Sequence, residues 1–419
     1  MHKEFQSYNY AKQLKKNNTF KNENFYDYFE SFIYSRIFSE RKPNKIKSKA
    51  NYLKNFFLRF VYFLFSKSIH KNNPKILSLS ASVFDKEIQK QHSITKLPTN
   101  ISKTLPVFGS FKLFLNIEYL NYQLTFSTLK KANQLEDLAQ KVTDQLSNEI
   151  EVLGITTLII GEDITFWPRV LIDIFKDKGL KTILISHGGI PSLFDGKVDT
   201  KSDIVCVWGY IQKKSYESNS YNLSRIRVIG HPIYSGRNLS FNKKINLENV
   251  LVLTKSICSV PPSNLKIYEN PNLILKYLYD IKQVLVEYGV EKVCLRLHPS
   301  EDKCWYDELL TDSFFSISNS LLEEDLRNAS LVIGPTSTSF IDSISVNKPY
   351  IFYEPLLENG KTLFGYPLVE PIKDKDIIPL THSKSELREK LKEDYKYDFS
   401  DFLSSKFDYA DILDDSQKI

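Results

Sequence analysis

Arg296, His298 and Pro299 close an apolar run, Val290 to Leu297, where a strand should stop and a loop begin. That spacing brings a cation, an imidazole and a rigid turn to one strand mouth. About forty residues on, the run Leu331 to Ile333 ends in Gly334 and Pro335, and Thr336, Ser337, Thr338 and Ser339 follow before a helix-like stretch. Ligands of open α/β sheets collect outside the carboxyl ends of the strands, and hydroxyls with free amides at a helix start suit an anion. The two segments read as halves of one phosphate cradle for a nucleotide. Lys255, in Thr254-Lys255-Ser256 after the run Val250 to Leu253, would add a phosphate or hinge contact. Glu354, after Tyr350 to Tyr353, would accept hydrogen bonds from ribose hydroxyls. Plainer roles stand beside these. Arg296 can pair with a nearby carboxylate, His298 can cap its turn, and the hydroxyls can cap the next helix, although capping and phosphate binding draw on the same amides. Arg296 and His298 share a face only if the strand continues through them.

A second group of polar loops lies upstream. Glu162 and Asp163 follow Gly161 at the end of the run Thr156 to Ile160, so two adjacent carboxylates emerge at a strand mouth. Glycosyl chemistry needs a carboxylate as base or nucleophile, and either residue fits, while Asp163 can equally cap the helix that contains Pro168. Ser186-His187-Gly188-Gly189 follows Thr182 to Ile185, and the two glycines would let backbone approach a ligand beside His187. A satisfied turn histidine is the alternative. Asp195, in Phe194-Asp195-Gly196, supplies another carboxylate or an ordinary Asp-Gly turn. His231, between Gly230 and Pro232, can contact ligand or simply turn the chain.

Several signals are missing. The sequence has neither a G-x-x-x-x-G-K-[ST] loop nor a G-x-G-x-x-G after a strand, which removes support for P-loop and dinucleotide sites. No D-x-D follows a strand, so no metal is expected; cations and helix amides can neutralise a leaving group instead. The four cysteines, Cys206, Cys258, Cys294 and Cys304, lack C-x-x-C spacing and read as reduced, mostly buried thiols of a cytosolic protein.

Positioning these loops requires strands that alternate with helices. From Thr156 to Ile229, and again from Val250 to Tyr353, short apolar runs alternate with helical patterns, which implies parallel βαβ units. With 419 residues, 42% of them hydrophobic, two cores can be filled. The expected class is α/β: two Rossmann-like domains, their parallel sheets facing a central cleft. The segments are a basic, aromatic, helical extension over 1–73, a first domain over 74–236, a polar linker around Tyr234 to Leu247, and a second domain over 248–419. A charged helix, Lys384 to Glu393, would close the second domain or cross back to the first. The net charge of +6 is modest and its excess is confined to the amino-terminal end, which disfavours nucleic acid as a partner. No secretory signal is visible. Phe56 to Phe65 is too short and too punctuated by Lys54 and Arg59 to span a bilayer. The stretch 52–71 would suit contact with an anionic membrane surface, or a buried helix on the first domain.

In motif order the chain resembles bacterial GT-B glycosyltransferases that use CMP-activated acidic sugars, the sialyltransferase and Kdo-transferase groups of capsule and lipopolysaccharide synthesis. The residues that carry the resemblance are His298-Pro299 and the later cluster Thr336 to Ser339. The order His187-Gly188, Gly230-x-Pro232, Arg296-x-His298-Pro299, the hydroxyl cluster and Lys348-Pro349 is also similar to the CDP-glycerol glycerophosphotransferases of teichoic acid synthesis. The likeness covers roughly residues 155 to 355 and departs from the sialyltransferase acidic-acidic-glycine motif, since here Gly161 precedes Glu162 and Asp163. It implies that His298, Pro299, Thr336, Ser337, Thr338 and Ser339 of the second domain hold CMP phosphate and ribose, and Arg296, Gly334, Lys255 and Glu354 join them as candidates by their positions at strand ends. The first domain would bind a glycan or glycolipid acceptor, with Glu162, Asp163, His187 and Asp195 as the catalytic candidates. Such an enzyme would work in the cytoplasm, peripheral to the inner face of the membrane. Two alternatives are a CDP-polyol phosphotransferase and a non-catalytic subunit of glycan assembly.

Overall fold

The structure, a computed structural model, describes residues 45–66, 75–97, 107, 109–126, 132–163, 165–186, 188, 201–218, 222–255, 272–299, 301, 303–310, 312–356, 362 and 372–413. His187, Asp195 and Cys258 lie outside them. The chain divides into two compact units, 1–187 with 200–206 and 188–199 with 207–419.

In the first part of the chain, α1 (Lys45–Ser66) precedes β1 (Ile76–Leu79), α2 (Ser82–Ile88) and β2 (Ile94–Lys96). Two long helices follow, α3 (Phe111–Phe126) and α4 (Ala132–Val152). Then come β3 (Thr157–Ile160), α5 (Phe166–Asp177), β4 (Lys181–Ile185), β5 (Ile204–Val207), α6 (Tyr210–Ser218) and β6 (Ile226–Val228). The strands form a parallel six-stranded sheet in the order β2-β1-β3-β4-β5-β6. Its central members are buried at every position of Thr157–Ile160 and Ile204–Val207, as expected of strands covered on both faces.

The later chain contributes β7 (Ser240–Lys244), β8 (Val250–Leu253), α7 (Asn272–Glu287), β9 (Val293–Arg296), α8 (Lys303–Leu309), β10 (Phe315–Ile317) and α9 (Leu322–Asn328). After them run β11 (Leu331–Gly334), α10 (Ser339–Ser345), β12 (Tyr350–Tyr353), β13 (Leu380–Thr381), α11 (Lys384–Lys392), β14 (Asp394–Asp398) and α12 (Ala410–Leu413). The second parallel sheet has the order β10-β9-β8-β11-β12-β13. Counted from β8 this is 3-2-1-4-5-6, the doubly wound order in which the strand sequence reverses between the first and fourth strands. Two parallel six-stranded sheets thus match the expected α/β class.

The expected polar linker differs from what is found. Ser240–Lys244 pairs antiparallel with Asp394–Asp398, and Phe241 is buried against Tyr395 and Phe399. A two-stranded ribbon with one solvated face offers few apolar residues, and its partner is distant in sequence, so the segment looks like a loop. The charged helix α11 closes the second unit: Arg388 holds Glu287 at 2.5 and 2.7 Å, and Lys384 donates to Gln283.

Also within the second unit, the segment after β14 lies directly on Gly209 and Gly230. A Cβ on Gly230, whose φ is +75°, would stand 2.2 Å from Lys406 O. Gly289 has a similar φ of +78° with nothing within 4 Å. Gly230→Ala should therefore cost about 2–4 kcal/mol, combining left-handed strain with overpacking, whereas Gly289→Ala should cost only about 1 kcal/mol. Urea denaturation midpoints of the two variants measure the difference.

Candidate functional site

In the second sheet the carboxyl ends of β8 and β11 flank the point where the strand order reverses. Lys255 follows β8 and Thr336 follows β11, and Lys255 Nζ donates to Thr336 O at 2.7 Å. Glu354, beyond β12, accepts from Thr336 N at 2.5 Å. Both backbone polar groups of Thr336 are therefore held by charged side chains from neighbouring strand ends. Glu354 is 2% exposed, and its carbonyl meets His382 Nδ1 at 2.8 Å. Its second carboxylate oxygen, Oε2, and the Thr336 hydroxyl are buried with no hydrogen-bond partner among the described residues.

His298 joins the cluster electrostatically. Partial withdrawal from water and the positive charge of Lys255 both lower its pKa from the ordinary histidine value. Burial likewise lowers the pKa of Lys255, against the opposing pull of the Glu354 carboxylate. The His298 loop is shaped by Glu301, whose carboxylate accepts from His298 N at 2.9 Å, from Tyr306 Oη at 2.7 Å and from the Thr254 hydroxyl. Glu301 N donates back to His298 O at 2.9 Å with Pro299 at the second position of the turn, where its fixed φ is favoured.

The expected strand continuation fails at Arg296. The strand stops there, and Arg296 turns to Asp325 at 2.7 Å and Ser320 O at 2.8 Å, which is the carboxylate-paired alternative. The hydroxyl turn is also less open than its sequence implies. Ser339 N is taken by Ser337 Oγ, Phe340 N by Ser337 O and Ile341 N by Thr338 O. Only the amides of Ser337 and Thr338 in this turn have no acceptor among the described residues. Gly334 is needed for packing: a Cβ there would lie 2.3 Å from the Tyr350 hydroxyl, which donates to Pro335 O at 2.6 Å. Of the ten expected nucleotide contacts, Lys255, Thr336 and Glu354 meet directly, His298 feels Lys255, and Arg296 faces elsewhere.

In the first unit the N-cap of α5 is Thr165, which makes no side-chain cap bond, and the carboxylate that reaches it is that of Glu162 rather than Asp163. Glu162 accepts from Thr165 N at 3.0 Å and from the Thr165 hydroxyl. The Asp163 carbonyl accepts from Arg169 Nε at 3.3 Å. Beside Gly161, at the ends of β1 and β2, Asp85 pairs with the buried Lys96 and accepts from Ser78 Oγ at 2.5 Å and Ser80 Oγ at 2.8 Å. Sequence patterning gave no sign of this buried charge, since Asp85 and Lys96 sit on short elements without a motif.

His231 forms part of a closed turn. Its ring stacks on Tyr234 with centroids 4.4 Å apart and lies tilted against Trp208 at 4.2 Å, its Nδ1 accepts from Ile233 N at 3.2 Å, and burial drives its pKa down to about 4. Tyr234 bonds Asp342, on α10, so this aromatic stack supports the helix behind the hydroxyl turn. Among the cysteines, Cys206 is buried and Cys294 half-buried, but Cys304 is exposed, contrary to expectation, because its short helix α8 turns it to solvent.

Among the described residues no helix is long and apolar enough to cross a membrane, and no group of three His, Cys, Asp or Glu side chains is placed to hold a metal ion. No protein-family model matches the chain, and no curated protein does. Solved structures to which it is similar include the UDP-GlcNAc 2-epimerase of Methanocaldococcus jannaschii in complex with UDP-GlcNAc and UDP, at 12% identity over 79% of this chain and 95% of that one, with a TM-score of 0.46. The UDP-GlcNAc 2-epimerase of Neisseria meningitidis bound to UDP-GlcNAc matches at 11% identity over 81% and 98%, with a TM-score of 0.45. The wall teichoic acid polymerase TagF with CDPG matches at 13% identity over 84% and 88%, with a TM-score of 0.38.

Replacing Glu301 with Ala should remove three hydrogen bonds at once and take from the buried Tyr306 hydroxyl its acceptor. A loss of about 2–4 kcal/mol is expected in chemical denaturation, with faster hydrogen exchange at the His298 amide while the amides of β9 keep their protection.

Proposed function

We propose that this protein is a metal-independent GT-B glycosyltransferase that moves an acidic sugar, Kdo or a nonulosonic acid, from a CMP donor to a bacterial surface glycan. One observation carries the reading. At the strand reversal of the second sheet, Lys255, Thr336 and Glu354 are bonded together while one buried carboxylate oxygen and one buried hydroxyl have no partner among the described residues. Unsatisfied buried polar atoms cost about 1–3 kcal/mol each, so a ligand that satisfies them gains affinity. The Lys255 ammonium and the Thr336 hydroxyl suit phosphate oxygens, and the Glu354 carboxylate suits hydroxyl donors such as those of ribose. A nucleotide monophosphate leaving group offers both within one molecule.

In this reading Lys255, Thr336 and His298 stabilise the departing CMP, with Ser337 and Thr338 offering their amides and Glu354 fixing the ribose. The base or nucleophile is Glu162 or Asp163, with His187 and Asp195 as further candidates. Use of Glu162 requires it to leave its hydrogen bonds to Thr165.

Calorimetric titration of the full chain with CMP, CDP-glycerol and UDP tests the site. CMP should bind, and Lys255→Met and Glu354→Ala should each weaken it by about tenfold or more, equivalent to at least one charge-assisted hydrogen bond. Turnover of CMP-Kdo or CMP-sialic acid in the presence of chelator tests the chemistry. Tighter binding of CDP-glycerol than of CMP would favour a polyol phosphotransferase, and no binding of any cytidine nucleotide would overturn both readings.

The His298 shift adds a pH signature. Its pKa in the free protein lies below the ordinary value of about 6.5, and a bound phosphate dianion would raise it. The complex then binds more protons than the free protein in that window, so affinity should rise as pH falls through it. His298→Asn should flatten this component of the slope, measured as proton uptake in buffers of different ionisation enthalpy.

A further inference from the structure

The inner face of α1 is already occupied. Phe63 stacks on Phe114 of α3 at 4.8 Å, and Arg59 grips Glu118 at 2.6 and 2.7 Å. That pairing neutralises Arg59 and pins one side of α1 to the first unit. The other side is open: Leu53, Phe57 and Leu64 are 63%, 62% and 52% exposed. On α3 the stripe Phe111, Leu115 and Tyr119, at four-residue spacing, is exposed as well. Six large apolar side chains on two neighbouring helices form more open apolar surface than scattered exposure explains.

The charges identify what would cover it. Lys49, Lys54 and Lys112 are exposed on the same two helices. The sequence carries no Asp or Glu between Glu40 and Asp85, while Lys and Arg recur through that stretch. An apolar partner surface alone would place no demand on charge. Apolar side chains flanked by lysines without an ion-pair partner among the described residues, on helices not long and apolar enough to cross a membrane, match an interface with anionic phospholipid, where rings and leucines enter the acyl boundary and ammonium groups stay among the headgroups. We propose that the open faces of α1 and α3 dock the protein on an anionic phospholipid bilayer. This stands apart from the nucleotide reading, since none of these residues belongs to that cluster.

Flotation of the full chain with phosphatidylcholine vesicles, with and without phosphatidylglycerol, tests the proposal. Binding should require phosphatidylglycerol and fall with added salt. A Leu53→Glu, Phe57→Glu, Leu115→Glu variant should lose about tenfold or more of vesicle affinity, and so should Lys49→Glu, Lys54→Glu, Lys112→Glu. Both should retain wild-type circular dichroism and nucleotide affinity. If the apolar variant misfolds, the lysine variant decides. Equal binding to neutral vesicles, unchanged binding by a folded variant, or a wild-type dimer in light scattering that the apolar variant splits would overturn it, the last by making this face a contact between two copies of the chain.

Discussion

The second unit's candidate site depends on how the backbone of Thr336 is held. Its amide is fixed by Glu354 and its carbonyl by Lys255, two opposite charges reaching inward from β12 and β8. Charged groups in such a place are costly to desolvate, and each is tolerable because the other lies close and because the peptide between them supplies a donor to one and an acceptor to the other. The aromatic core behind the turn makes the arrangement rigid. Phe340, on the helix that follows, packs on Tyr350, Phe352, Phe399 and Phe402, while Tyr350 anchors the Pro335 carbonyl. The ribbon of β7 and β14 and the segment after it complete that core, so elements that look peripheral in sequence brace the site.

Much of this frame was legible because central parallel strands are apolar on both faces. Val250–Leu253, Leu331–Gly334 and Tyr350–Tyr353 announce themselves as continuous apolar runs, and the loops at their ends follow. The edge strands Ile226–Val228 and Phe315–Ile317 were still apolar enough to read, but other edge and ribbon strands were not. Ile94–Lys96, Leu380–Thr381 and Ser240–Lys244 are too short or too polar to stand out.

The site was half legible for a related reason. Residue type and position at a strand mouth singled out Lys255, His298, Thr336 and Glu354, but the bonds among them depend on the strand order. β8 and β11 are neighbours only because the order reverses, which brings Lys255 beside a residue 81 positions later. The same dependence explains Arg296. Its partner Asp325 comes from the helix after the next strand, and no local spacing signals the pairing. Glu301 and His382, which shape the loops, carried no motif at all, and Thr254 stood out only as the neighbour of Lys255. The one available signal was Glu301 two residues after Pro299, a turn residue able to fold back on the His298 amide.

Charge balance restricts what the cluster can recognise. A cradle of cations alone would take any anion, inorganic phosphate included. Here Lys255 is offset by Glu354, and His298 is biased toward its neutral form by burial and then by Lys255, so a bare phosphate would meet repulsion from the carboxylate along with attraction from the ammonium. A ligand that brings hydroxyl donors to the free Glu354 oxygen converts that repulsion into a charge-assisted hydrogen bond. The same carboxylate that holds the turn together thereby selects for an anion with hydroxyl groups attached. Discrimination of this kind is strong in buried sites, because an analogue lacking the hydroxyls leaves the carboxylate oxygen buried and unpaired.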